Sequence, residues 1–188
     1  EIGRAFKFGP KWPGLARIIN FPGVYRKMPE VMEKKKAAFE DVRLIDGHAP
    51  MLSGKNLAAY IGAGINTDHE CTTAKEALEK LRLGMKIIIR EGSAAKNLKD
   101  LLPIVNERTW PNIFFGCDDR HPEDLINEGG IDNIVRKAVG AGLDPVTAIR
   151  MATINPARHY NLRGYGGIAP GYRADLAVVN DLSDFQVE

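Results

Sequence analysis

Two histidines and an aspartate, His48, His69 and Asp118, each stand at the polar end of a short apolar run. In a parallel β/α protein such runs are strands, and the functional site lies at the carboxyl ends of those strands. We therefore expect the three side chains to converge at one edge of the sheet. Imidazole and carboxylate groups suit zinc, manganese and iron as divalent ions. A single histidine there is more often a hydrogen-bonded loop residue, but the repeated pattern favours a metal site with these three ligands.

A metal in this position predicts hydrolytic chemistry. A bound divalent ion lowers the pKa of its water to about 7, which supplies hydroxide at neutral pH. Asp68 and Glu70 flank His69, so we expect one to orient an imidazole and the other to move protons to a leaving group. Asp119 and His121 crowd Asp118, and one of the two is a candidate base toward the water, although Asp119 is equally suited to cap the following helix. The candidate catalytic residues are therefore Asp118, Glu70 and Asp119.

The turn Arg90-Glu91-Gly92-Ser93 follows another apolar run and is expected at the same end of the sheet. Its backbone amides and the Ser93 hydroxyl are suited to hold a polar heterocycle. Arg90, Glu91 and Ser93 are the candidate substrate-binding residues. A plain turn between a strand and a helix explains Gly92 and Ser93 equally well.

The elements that must position these residues alternate between strands and helices along the chain. The apolar runs predict strands at 15–19, 42–45, 65–68, 86–90 and 112–117. Periodicity and capping signals predict helices at 30–40, 54–63, 122–127 and 131–141. Two more helices are predicted to begin at a capping box at 73–76 and at a cap at Ser93. Asp144-Pro145 and Asn155-Pro156 each resemble a helix cap followed by proline at the first helical position. His159, in the last helix, is expected to be structural.

The alternation predicts an α/β fold, namely a (β/α) TIM-like barrel of which about five of the eight units are present. Such a barrel typically needs about 250 residues, and the chain has 188. An open doubly wound sheet would fit the length, but no glycine-rich phosphate fingerprint follows the first strand. Residues 173–179 predict a strand outside the alternation. We therefore expect a barrel domain at 1–166 and part of a small β-rich domain at 167–188.

The composition excludes several classes of protein. Apolar residues make up 44% and charged residues 27% of the chain, as in ordinary globular proteins. A net charge of +2 without a basic block gives no reason to expect nucleic acid, and no apolar stretch is long enough to predict a membrane span. Cys71 and Cys117 are too few for a disulfide framework. These features favour a cytoplasmic protein.

Several motifs closely resemble the adenine deaminases of the amidohydrolase superfamily. The motifs are Ile45-Asp46-Gly47-His48-Ala49-Pro50, Ser53-Gly54-Lys55, Thr67-Asp68-His69-Glu70-Cys71-Thr72, Ile89-Arg90-Glu91-Gly92-Ser93-Ala94-Ala95-Lys96-Asn97, Asp118-Asp119-Arg120-His121-Pro122, Asn155-Pro156-Ala157-Arg158 and Ile168-Ala169-Pro170-Gly171-Tyr172-Arg173-Ala174-Asp175-Leu176. The resemblance covers nearly everything from Gly14 onward. The last two motifs are common to amidohydrolases generally and discriminate less.

The resemblance implies a β/α barrel with a small β-sandwich domain that hydrolyses adenine to hypoxanthine and ammonia. It implies a divalent metal, most often manganese or iron with zinc as the alternative, held by His48, His69 and Asp118. It also places Glu70 and the turn from Arg90 to Ser93 near the purine. We further expect the full-length form to be a homo-oligomer.

Two departures from the family pattern qualify this expectation. Family members carry an HxH pair on the first barrel strand, and this sequence contains no HxH. They also carry a glutamate that bridges two metals, whereas Arg17 stands at the matching position here. The chain is therefore expected to be the carboxyl-terminal part of a longer, diverged enzyme, or to be inactive alone. The alternatives are an amidohydrolase acting on a cyclic amide or amidine, and a non-catalytic relative.

Overall fold

The computed structural model describes residues 14–40 and 44–188, without the side chains of 14–17, 39 and 40. The loop predicted at 1–13 and the strand start predicted at Val42 and Arg43 lie outside these residues. Arg17 lies in the first strand, but its side chain also lies outside the described part.

The described residues alternate between strands and helices, as the sequence predicts. The strands are β1 (Gly14–Ile18), β2 (Leu44–Gly47), β3 (Thr67–Asp68), β4 (Lys86–Arg90) and β5 (Ile113–Gly116). The helices are α1 (Phe21–Tyr25), α2 (Pro29–Glu40), α3 (Gly54–Gly62), α4 (Ala74–Arg82), α5 (Leu98–Leu101), α6 (Pro122–Asn127), α7 (Ile131–Gly140), α8 (Pro145–Ala152) and α9 (Ile154–His159). Short 3-10 turns at Leu102–Ile104 and Trp110–Asn112 precede β5.

The chain divides into two compact units. The first consists of residues up to Cys71 together with Lys75–Ile87. In it, β1 pairs in parallel with β2, and β3 pairs in parallel with the first residues of β4. Its core is a buried apolar cluster that includes Ile45, Leu57 and Ile65. Hydrogen bonds from the Gly47 N–H to the Thr67 hydroxyl and from the Ala49 N–H to the Asp68 carboxylate bring the carboxyl ends of β2 and β3 together.

The second unit consists of Thr72–Ala74 and Ile88–Glu188. The apolar residues of β5 are buried, as are Ile134 and Val135 on one face of α7. The Asn155 side chain, in α9, donates hydrogen bonds to the carbonyls of Trp110 and Ile113 at 2.7 and 2.8 Å. These bonds attach the last helix to the start of β5.

Three local predictions are wrong. Ser93 caps no helix, because residues 91–96 form a tight turn closed by a Glu91–Lys96 bridge and α5 begins after Asn97. Asn155 lies inside α9 rather than at its cap, since its amide is used by the two carbonyls near β5. Within the described part of the chain, residues 173–178 form no strand, and the β-pairing of this segment is limited to an isolated bridge between Val179 and Val187.

The apolar residues of the tail have little to pack against among the described residues. Ile168 is 89% exposed, and Leu176 and Val178 are more than half exposed. Extended pairing requires partner strands, so this explains why residues 173–178 stay irregular. The division into domains at 166 and 167 stays a prediction. Within the described ranges, no helix combines the length and apolarity that crossing a bilayer requires.

Asp144 caps α8 as predicted, and its removal should lower stability. Its carboxylate accepts hydrogen bonds from the Thr147 hydroxyl and backbone N–H, both at 2.8 Å. These hydrogen bonds hold the pKa of Asp144 below its ordinary value. A lowered pKa stabilises the fold above the ordinary aspartate pKa of about 3.9, and that stabilisation is lost as the pH falls through the lowered value. Asp144→Ala should therefore lower the thermal midpoint by a few degrees near neutral pH, and by less in acid. Calorimetry at several pH values would measure this, and an equal loss at every pH would contradict it.

Candidate functional site

Three side chains from two elements, β3 and α3, fix the end of β2 and the loop that follows it. The backbone N–H of Gly47 donates to the Thr67 hydroxyl at 2.9 Å, and that of His48 donates to the Tyr60 hydroxyl at 3.1 Å. The next N–H, of Ala49, donates to Oδ1 of Asp68 at 2.8 Å. Tyr60 is fully buried, and burial raises the pKa of its hydroxyl far above the ordinary value. The hydroxyl therefore stays protonated, and the loop has a fixed path.

This loop brings His48 close to two residues that follow β3. His48 Nδ1 lies 3.5 Å from His69 Nε2. One oxygen of Glu70, Oε1, lies 3.0 Å from that His48 nitrogen and 3.1 Å from the His69 nitrogen. His69 is buried, whereas His48 and Glu70 are partly accessible. The cluster therefore has a buried side and an open side.

The spacing of these three atoms fits one divalent ion. Ligand atoms about 2.1 Å from a shared metal at tetrahedral to right angles lie about 3.0–3.4 Å apart. The nitrogen and oxygen atoms of His48, His69 and Glu70 are separated by 3.0, 3.1 and 3.5 Å. Two imidazoles and a carboxylate also match what manganese, iron and zinc accept. The residues present therefore fit the predicted metal, with Glu70 close enough to serve as a third ligand.

Asp68 lies next to His69 in sequence but turns its carboxylate into a buried network. Its Oδ2 accepts from Lys80 Nζ at 2.8 Å and from the Cys71 thiol at 3.2 Å. Burial alone would raise the pKa of Asp68, but the Lys80 ammonium more than offsets this, so the pKa is lowered. Of the two carboxylates predicted to serve His69, Glu70 is thus the one beside the imidazoles.

In the second unit, Asp118 is paired with a cation. Its Oδ2 lies 2.5 Å from Nη1 of Arg90, and each side chain is only about a tenth exposed. The backbone of Asp118 has a φ of +47°. This left-handed conformation is uncommon outside glycine, and such residues cluster at functional sites. The end of β5 therefore holds Asp118 in a defined position beside Arg90.

Asp119 and Ser93 connect the turn after β4 to the segment after β5. Asp119 Oδ2 accepts from the backbone N–H groups of Ala94 and Ala95 at 3.1 and 3.3 Å. The Ser93 hydroxyl donates to Asp124 and accepts from the backbone N–H of His121. Asp119 therefore does not cap α6, whose N-cap position is His121. The Asp119 and Ser93 side chains therefore hold this turn against the segment that follows β5.

Glu91 and Arg120 support the same turn from within the unit. The Glu91 carboxylate accepts from the Leu98 N–H and pairs with Lys137, both at 3.3 Å. The Arg120 guanidinium donates to the backbone carbonyls of Glu91 and Gly129. Both side chains are buried. Glu91 thus has structural partners within its own unit.

The structure therefore brings together His48, His69 and Glu70 in the first unit, and Arg90 with Asp118 in the second. The meeting of Asp118 with the two imidazoles stays a prediction. So do the substrate-binding roles of Arg90, Glu91 and Ser93 and the catalytic role of Asp119.

The sequence did not point to Lys80, Thr67 or Tyr60 as residues of this site. Lys80 lies four residues after Glu76 in α4, which is the spacing of an ordinary exposed helical ion pair. The only signal available was its place three residues after buried Ala77 on the inward face of α4. Thr67 and Tyr60 carry no signal beyond lying in elements next to the histidines.

Gly47 leaves no room for a side chain, and Gly47→Ala should be strongly destabilising. A Cβ at this position would lie 2.1 Å from the backbone oxygen of Thr67. Because β2 and β3 would have to separate, we expect a loss of about 3 kcal/mol in unfolding free energy. Chemical denaturation would measure it. Gly62→Ala, where a Cβ meets nothing within 4 Å, is the matched control and should be neutral or slightly stabilising. Equal behaviour of the two variants would refute the steric argument.

Comparison with known proteins agrees with this geometry. Residues 15–188 match the model of the amidohydrolase family. The adenine deaminase of Desulfatibacillum aliphaticivorans is 56% identical over 179 residues, which are 95% of this chain and 32% of that protein. Adenine deaminase 1 of Rhizobium meliloti (strain 1021) is 49% identical over 189 residues, or 100% of this chain and 33% of that protein. The chain thus spans about a third of the length of the curated relatives it matches.

Among solved structures, enamidase, a member of the amidohydrolase superfamily, aligns with a TM-score of 0.59 at 19% identity, covering 76% of this chain and 40% of that one. This likeness concerns the fold alone. With the family match, it confirms the TIM-barrel-like part of the predicted fold, while the β-sandwich stays a prediction. The similarity to adenine deaminases predicted from the motifs is also confirmed. On this evidence, the chain belongs to the amidohydrolase family.

Proposed function

We propose that this chain forms part of a metal-dependent hydrolase that converts adenine and water to hypoxanthine and ammonia. The observation that carries the proposal is the convergence of His48, His69 and Glu70 on atoms 3.0–3.5 Å apart. The identity of about half to proteins named adenine deaminase supports the choice of substrate. Manganese or iron is the proposed metal, and a homo-oligomer is the proposed state at full length.

The proposed roles follow from the positions of the side chains. His48 and His69 hold the metal, with Asp118 as a further ligand. The metal, when bound, supplies a water of lowered pKa. Glu70, beside both imidazoles, would take one proton from the attacking water and deliver it to the amino group. The water oxygen bonds to the ring carbon that bore this group, the carbon–nitrogen bond breaks and ammonia leaves, and the second water proton remains on the purine as a ring N–H of hypoxanthine. Asp119 is proposed as a second proton acceptor near Asp118.

The turn after β4 is proposed to lie near the purine. Arg90 is already paired with Asp118, so its guanidinium is held at a fixed place rather than free to rotate. Ser93 and Glu91 shape the turn through their bonds to the segments at 121–124 and 98. Their contribution is therefore proposed to be the position of backbone amides, with Arg90 as the side chain nearest the substrate.

Segment exchange is the experiment that tests this function. The matching segment of the Desulfatibacillum aliphaticivorans adenine deaminase is replaced by this chain, once unchanged and once with Arg17→Glu. We expect the Arg17→Glu exchange to release ammonia from adenine only when loaded with manganese or iron, and to lose this activity with His48→Ala or His69→Ala. Turnover of a cyclic amide instead of adenine would favour the other amidohydrolase. Metal binding without turnover of either compound would favour the non-catalytic relative.

A further inference from the structure

Lys80 is a fully buried cation that contacts the chain neighbours of both imidazoles. Its side chain is 0% exposed. The ammonium lies 2.7 Å from the backbone oxygen of Ala49, which follows His48. It lies 2.8 Å from Oδ2 of Asp68, which precedes His69. One charged atom therefore connects the two segments that carry the histidines.

The third contact of Lys80 completes its hydrogen bonding. Nζ lies 2.6 Å from Oε1 of Glu76, one turn earlier in α4. An ammonium has three N–H groups and no acceptor, so these three contacts use every donor. Asp68 in turn accepts from the Ala49 N–H at 2.8 Å through its other oxygen. Both backbone polar groups of Ala49 are thus held by the Lys80–Asp68 pair.

Helix α4 extends this attachment along the loop. The same Glu76 oxygen accepts from the backbone N–H of Met51 at 2.8 Å. Glu79, the residue before Lys80, accepts from the N–H of Gly54 at 2.8 Å. The Lys80 ammonium and the carboxylates of Glu76 and Glu79 therefore tie the segment at 49–54 to one helix. The path of the chain after His48 is set by α4.

A second metal is the other reading of this cluster, because donor atoms of Asp68, Cys71 and Glu76 lie within 4.8 Å of one another. The Lys80 ammonium, however, is bonded to Asp68 and Glu76 and is therefore the cation at this place. Burial of the Cys71 thiol raises its pKa far above the ordinary value. Since a metal requires the thiolate, Cys71 is a poor ligand here.

An apolar side chain at position 80 would fill the space but would lose the connection. Buried ion pairs often contribute little stability compared with apolar residues of similar volume. What an apolar side chain lacks is the ability to bind a carboxylate and a backbone carbonyl at one point. The charge of Lys80 therefore matters because it fixes the positions of Ala49 and Asp68.

We propose that Lys80 is a positioning residue, which with Asp68 sets the separation of His48 and His69 at a distance that suits one divalent ion. This inference rests on the metal centre of the proposed function. It predicts that loss of the ammonium loosens the spacing of the two imidazoles. Substitution of residues that support metal ligands typically lowers metal affinity by about 10- to 100-fold.

The test measures manganese binding by the chain through the electron paramagnetic resonance signal of free Mn²⁺, alongside the thermal midpoint. Lys80→Met should raise the dissociation constant by roughly 10- to 100-fold and broaden the spectrum of the bound ion. Leu57→Ala and Val31→Ala are the controls, since they remove buried apolar contacts of the same unit that form no part of the network. They should lower the midpoint while leaving the dissociation constant nearly unchanged.

Each outcome bears on the proposal. Manganese binding that His69→Ala abolishes but Lys80→Met leaves unchanged would overturn the role of Lys80 and leave the metal centre standing. A dissociation constant that follows the thermal midpoint equally in Lys80→Met and the two controls would make Lys80 merely structural. A wild-type chain that binds no manganese would overturn both proposals. Failure of the Arg17→Glu segment exchange to deaminate adenine, with its manganese binding intact, would count against the proposed reaction alone.

Discussion

The 188-residue chain alone, loaded with manganese or iron, is expected to release ammonia from adenine no faster than buffer does. Enzymes typically accelerate their reactions at least about 10⁶-fold, so the expected loss is of that size. The resemblance to adenine deaminases calls for an HxH pair and a bridging glutamate, and the chain contains neither. A guanidinium at position 17 is always protonated and would repel a divalent cation if it faced the site.

Ammonia release from adenine by the purified chain is the measurement. The comparison is an Arg17→Glu version joined to an amino-terminal piece that carries HxH, prepared and loaded in the same way. Activity is expected only in the joined protein. Robust turnover by the unmodified chain would show that its own ligands suffice, or that Arg17 points away from the site.

Replacing either imidazole should cause the largest loss of metal binding. His69→Ala and His48→Ala each remove one of the two imidazole ligands, and the single imidazole that remains would hold an ion weakly. We expect the manganese dissociation constant of the chain to rise by at least roughly 100-fold, which corresponds to about 2.8 kcal/mol. Titration calorimetry or the signal of free Mn²⁺ would measure it.

His159→Phe is the matched control for these variants. His159 is buried against the rings of Phe114 and Tyr160, so phenylalanine preserves the aromatic packing while removing the imidazole. Its manganese affinity should equal that of the wild type. If His159→Phe lost affinity as strongly as His69→Ala, binding would have to involve other residues than the cluster after β2 and β3.

The elements of the fold were predictable where one local signal dominates. The continuous β-branched run of β4 gave its bounds at Lys86–Arg90, and Pro122 gave the start of α6. The capping aspartate of α8 was equally plain, because Asp144 precedes a proline and its partner Thr147 is only three residues away. In these cases the residues that determine the structure are neighbours in the sequence.

Prediction from the sequence failed where a residue that is distant along the chain determines the local structure. Ser93 resembles a helix cap, but Asp119 holds the amides of the turn at 92–95 and keeps it from becoming helical. Asn155 resembles a cap until the carbonyls near β5 occupy its amide. Residues 173–179 have the composition of a strand, but among the described residues their β-pairing is limited to the isolated bridge at Val179.

The candidate site also contains one part that local signals predict, the histidines, and one part that depends on a distant residue, the position of Glu70. The histidines were found from sequence because each directly follows an apolar run, and strand ends are where β/α proteins place ligands. Glu70 lies close to both imidazoles and Asp68 does not, because the Lys80 ammonium binds the Asp68 carboxylate. Lys80 is buried on α4, a helix that begins three residues after Cys71. The sequence pattern of α4 does not reveal that this lysine is buried.

The two hydrogen bonds from Asn155 also bear on the order in which the second unit forms. They reach back 45 and 42 residues along the chain, to Trp110 and Ile113. Contacts of such long sequence separation form late, because a large loop must close first. During synthesis, the carbonyls of Trp110 and Ile113 therefore lack the hydrogen bonds from Asn155 until α9 has emerged and docked. In a chain cut between α8 and α9, these two carbonyls would be exposed to water. They lie at the start of β5, the strand that leads to Asp118.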